Sequence, residues 1–118
     1  MNTTQRPTLF TVIAALTLTS GAVNLFWGFV ASATALGTIV GVVCLPLTIL
    51  PTILGVFEII YAAKMLSAQP AQAAPTLAAF QISTLLYGNV FSAVVGILNL
   101  VFFNDKAVKE HFDRLNLK

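Results

Sequence analysis

Apolar side chains run along this chain in three long blocks, residues 9–31, 38–66 and 76–103, with short small-residue joints between them. The blocks show neither the strict alternation of a half-buried strand nor a broad polar face recurring at helical spacing. A helix that is apolar nearly all round is buried in a large core or in a membrane. A spanning helix needs about 20 residues to cross a hydrocarbon layer of about 30 Å. The second and third blocks hold 29 and 28 residues. At about 1.5 Å per residue each reaches about 42–44 Å, enough to cross once with tilt and too little to cross twice.

The joints read as turns. The first is SATALG at 32–37, and the second, SAQPAQAAP at 67–75, carries two prolines. Inside the second block, CLPLTILP places Pro46 and Pro51 in an apolar helix. Each removes a backbone donor and crowds the preceding turn. This predicts a kinked span, or a broken helix whose first half is re-entrant. The last segment, 104–118, is different in kind. Val108, Phe112 and Leu115 fall at i, i+4 and i+7, with Lys106, Lys109, Arg114 and Lys118 mostly off that stripe. The pattern predicts an interfacial amphipathic helix, equally suited to dock on a partner. The expected fold is all-α. It is a single membrane domain over 1–118, an integral bundle of three transmembrane helices, the second kinked at Pro46 and Pro51, plus the tail helix.

Composition agrees with the pattern. The 118 residues are 58% hydrophobic and 8% charged, against about 25% charged in soluble domains. Arg6 opens the chain, Glu58 and Lys64 sit in its middle, and the other charges lie in 105–118. A net charge of +2 points to no nucleic acid. A lone cysteine, Cys44, excludes an internal disulfide, and a lone His111 in the tail argues against a metal site. With no Ser/His/Asp set, paired carboxylates or glycine-rich phosphate loop, the sequence reads as a non-enzyme without a cofactor. The apolar run after Arg6 exceeds the about 7–15 residues of a cleaved signal and reads as an uncleaved first span. Three spans put the termini on opposite sides. The excess of Lys and Arg in the tail then predicts an outside N-terminus and a cytoplasmic tail.

One short pattern occurs in every block. Gly21-Ala22-Val23-Asn24, Gly55-Val56-Phe57-Glu58 and Gly96-Ile97-Leu98-Asn99 each place a glycine three residues before a polar side chain. That spacing puts both on one helix face, where the glycine admits a neighbouring backbone and the polar group bonds across the gap. Gly88 and Ser92 extend the stripe in the third block. The expected packing seam and polar clasp is therefore Gly21, Asn24, Gly55, Glu58, Gly88, Ser92, Gly96 and Asn99. Glu58 is the one acid inside the blocks, and an intramembrane carboxylate is a functional candidate in its own right. If the second and third blocks form a hairpin, Gln81, Thr84 and Tyr87 lie at its depth as partners. Asn24 and Asn99 are expected a turn or two away.

The strings LGVFEIIYAAKML and YGNVFSAVVGILNLVFFND resemble a family of small uncharacterised bacterial multi-pass membrane proteins. That resemblance covers the last two blocks and the start of the tail, implies a multi-pass topology and carries no activity. In size and composition the chain is also similar to small proton-coupled multidrug transporters, which use a lone membrane glutamate. Three functions are consistent with the residues. The first is an accessory or assembly subunit of a larger membrane complex, or a homo-oligomer. The second is an oligomeric channel or proton-coupled transporter centred on Glu58. The third is a membrane anchor whose tail recruits a partner.

Overall fold

The computed structural model describes residues 7–116, apart from the side chain of Tyr87. Among these residues the fold is all-helical. Helix α1 (Thr8–Leu36) follows Pro7, whose fixed φ suits a helix start. A Gly37-Thr38 turn reverses the chain, with Thr38 accepting a hydrogen bond from the Gly41 amide at 2.8 Å to cap α2 (Ile39–Thr48). Helix α3 (Leu50–Leu66) continues from it after the single residue Ile49, which keeps helical dihedrals of φ −80° and ψ −20°. Two helices are long and apolar enough to cross a membrane, Thr8–Leu36 and the joined Ile39–Leu66.

Helices α1 and α3 pack closely because neither has a side chain at the crossing. A Cβ on Gly55 would lie 2.6 Å from the Gly21 carbonyl oxygen, and one on Gly21 would lie 2.9 Å from the Gly55 carbonyl oxygen. Higher up, Gly28 faces Thr52 in the same way.

The third apolar block departs from the expected single span. It forms α4 (Pro75–Ser83), a 3-10 turn over Thr84–Tyr87, and α5 (Val90–Phe102). These fold back on one another, and Gly96 of α5 comes so near α4 that a Cβ would sit 2.6 Å from the Ala78 carbonyl oxygen. The break has a local cause. Gly88 takes the left-handed conformation at φ 78°, and Asn89 then caps α5 by accepting from the Ser92 amide at 3.2 Å. A glycine that ends one helix followed by an asparagine that starts the next stops the helix in mid-block. Helix α6 (Lys106–Asn116) leaves α5 at 84°, and the two counted together would make a third span.

The hairpin brings the start of α1 and α6 together. Phe10 at the start of α1 meets His111 and Phe112 of α6, with ring centroids 4.3 and 5.0 Å apart. Asn116 donates to the carbonyl of Ala71 in the 67–74 joint at 2.7 Å. The start of α1, this joint and α6 therefore share one end of the bundle, called the base. The base holds the apolar core, built on Phe10, Ile13, Met65, Phe103 and the α6 stripe. Val108, Phe112 and Leu115, expected at a lipid interface, are buried against the chain itself. At the opposite end the bundle is two helices thick, and α2 buries no residue.

Candidate functional site

The hairpin carries its polar residues up into the bundle, to the level where α1 and α3 cross. Glu58 of α3 lies there at 0% exposure. Three donors from two other elements meet its carboxylate. Ser20 donates to Oε1 at 2.6 Å, Asn24 donates to Oε2 at 2.6 Å, and Gln81 of α4 donates to Oε1. Around these runs a second ring of contacts. Asn24 Nδ2 also donates to Ser92 Oγ at 3.0 Å, and Asn24 Oδ1 accepts from Asn89 Nδ2 at 2.6 Å. Ser20 and Ser92 hydroxyls lie 2.8 Å apart. A hydroxyl has one proton. With the Ser20 proton on the carboxylate, Ser92 is the donor of that pair. Below, Asn99 Nδ2 donates to Thr17 Oγ1 at 2.9 Å and to Gln81 Oε1 at 3.2 Å. The Asn99 Oδ1 is buried and has no hydrogen-bond partner among the described residues.

The arrangement is a carboxylate surrounded by donors only. An anion is the form it suits. The charge-assisted bonds it accepts are the stronger kind. A protonated Glu58 still fits, since Ser20 and Ser92 can turn their hydroxyls to accept. Chemically the cluster can fasten α1, α3 and the hairpin together. It can also take up and release a proton by hydroxyl rotation.

Each residue grouped by spacing has a definite place. Gly21, Asn24, Gly55, Glu58, Ser92, Gly96 and Asn99 all line the interior. Gly88 is exposed and belongs to the turn, not to a helix seam. Asn24, expected a turn or more away from Glu58, bonds it directly, and Asn99 reaches it through Gln81. Thr84 serves the hairpin tip, touching the carbonyls of Gln81 and Asn89 rather than Glu58. The Tyr87 side chain lies outside the described residues. Sequence reasoning passed over Ser20 and Asn89. Ser20 stands four residues before Asn24 and so on its face. Asn89 follows a glycine, which is a helix-break signal.

No group of three or more His, Cys, Asp or Glu side chains that could hold a metal is found among the described residues. A scan against protein-family models and searches of curated proteins and of solved structures find no match to this chain.

Proposed function

We propose that this is a non-enzymatic integral membrane protein of the bacterial inner membrane, acting as an accessory or assembly subunit of a larger membrane complex or as a homo-oligomer. One observation carries this reading. The bundle is complete at its base and two helices thick at its far end, where Ile39, Val40 and Val43 of α2 are 90, 76 and 78% exposed. A fold that spends a buried carboxylate on its own cohesion and leaves half its length bare is suited to packing beside other helices. The cation distribution supports an orientation. Lys64, Lys106, Lys109 and Arg114 lie at the base, and the 32–39 turn has no charge. By the positive-inside rule the base, with the start of α1 and the tail helix together, faces the cytoplasm.

A photoreactive residue at Val43 in native membranes tests the assembly reading. A discrete cross-link to a second polypeptide or a second copy is expected, and its absence at full expression of folded protein would overturn the proposal. The transport reading has its own support in the Ser20-Ser92 hydroxyl pair beside the carboxylate. Proton flux in proteoliposomes that Glu58→Gln abolishes would establish it in place of the first.

A further inference from the structure

Of the four seams in the lower bundle, two are closed by glycine, α1 against α3 by Gly21 and Gly55 and α4 against α5 by Gly96, and α1 against α5 is joined by the Ser20–Ser92 and Thr17–Asn99 bonds. The fourth seam, between α3 and α4, has no glycine and touches little. Phe57 and Phe80 line it. Beside them lies an apolar void of about 320 Å³ that reaches up to Leu50, Pro51 and Thr84. A second void of about 420 Å³ shares Leu54, Phe57 and Phe80 with the first and runs down to Tyr61, Thr76 and Lys64. Together they form one groove along α3. From Leu50 to Lys64 is about 21 Å at about 1.5 Å per residue, somewhat more than half of an about 30 Å hydrocarbon core and so long enough for the acyl chain of one leaflet.

The groove ends in a cation. Lys64 is the only charged residue between Glu58 and Asp105, and it makes no ion pair among the described residues. Tyr61 beside it already donates its hydroxyl to the Gln72 carbonyl at 2.6 Å. An apolar slot one leaflet deep, closed above by the hairpin tip and ended below by an unpaired ammonium, has the shape and charge of a single lipid. We propose that the α3–α4 groove binds one anionic phospholipid, its acyl chain against Phe57 and Phe80 and its headgroup phosphate at Lys64. The lipid fills the seam that side chains leave open and so braces the hairpin against α3. This rests on the membrane placement proposed above, with the base at the headgroup level. It does not depend on what covers α2.

The test uses the full chain purified in mild detergent and native mass spectrometry. Palmitoyl-oleoyl phosphatidylglycerol is compared with phosphatidylcholine of the same chains. One phosphatidylglycerol should be retained with roughly fivefold preference, the factor that corresponds to about 1 kcal/mol for one lysine near an anionic headgroup. Lys64→Gln should bring that preference close to one. Ser83→Phe, which fills the upper groove, should lower retention of both lipids. A phosphatidylglycerol with a diazirine in its chain should label 50–57 and 80–84. Equal retention of the two lipids by the unmodified chain would overturn the proposal. So would labelling spread over the exposed faces of α2 and α5, or a groove cross-linked to a second protein copy. Should Ser83→Phe fail to fold, as judged by helix content and Trp27 emission, Lys64→Gln and the labelling pattern still decide. Failure here with a positive Val43 cross-link would leave the assembly reading standing.

Discussion

At the scale of the residue, the pattern of donors makes Glu58 hard to replace even by its amide. A glutamine at 58 keeps one acceptor and brings one donor into a shell of donors. If its nitrogen faces Asn24, Asn24 must flip and then presents its own nitrogen to Asn89. Asn89 must flip in turn, and its nitrogen then meets the Ser92 amide that its oxygen had capped. The mismatch passes along the chain of amides until a helix cap is lost, which is worth about 1 kcal/mol. Glu58→Leu strands three donors instead. At about 0.6 kcal/mol for a typical membrane hydrogen bond it should cost about 2 kcal/mol, more than Glu58→Gln. Reversible unfolding in mixed detergent micelles gives both numbers, and an amide variant as stable as the parent would rule out the flipping argument. The glycines offer a sharper contrast. Gly55→Ala places a methyl against backbone, 2.6 Å from the Gly21 carbonyl oxygen, and should cost about 1–3 kcal/mol by overpacking. Gly37→Ala meets only its own turn at 3.3 Å with φ −78°, and should stay within about 0.5 kcal/mol of the parent.

At the scale of the element, the hairpin and α6 are the two parts whose docking can be read separately. Trp27 is the single tryptophan, and its ring is the nearest neighbour a side chain at Gly88 would meet, at 3.9 Å. It therefore reports on the hairpin tip. Asn89→Ala removes both the α5 cap and the donor to Asn24. A shift in Trp27 emission is expected before any loss of helix, and an unchanged spectrum would mean that the tip is held by other contacts. Helix α6 depends on a different contact. Phe112 is 4% exposed and packs on Phe10 and Phe103. Phe112→Ala should raise hydrogen exchange throughout 106–116 and leave α1 and α3 protected, because the polar cluster that joins those helices includes no residue of α6. Uniform loss of protection would show that the base and the cluster unfold as one unit.

At the scale of the whole molecule, the prediction concerns sidedness. Cysteines placed singly at Thr8 and Asn116, with Cys44 replaced by serine, should label from the same side of the membrane, and one at Ala33 from the other. Labels at 8 and 116 on opposite faces would show that the third apolar block crosses fully. The sequence carries the long apolar helices openly, because its 58% hydrophobic residues fall in unbroken blocks of membrane-compatible length. A three-residue step from glycine to Asn or Glu is also visible there, and it puts both residues on one helix face. The path of the third block is different. Its 28 apolar residues match a span by length, while the stop signal, Gly88-Asn89, is two residues long and easily outweighed.

Hydropathy measures whether a segment suits lipid and says nothing of where the segment turns. By itself, therefore, the sequence determined an all-helical chain with lone charges to be satisfied inside it. The tertiary structure decided which partners satisfy them. The turn at Gly88 sends α5 back beside α4, and only that reversal brings Ser92 to the depth of Glu58 and returns Phe112 to Phe10. Contacts of that kind join residues far apart in the chain, and no local pattern encodes them.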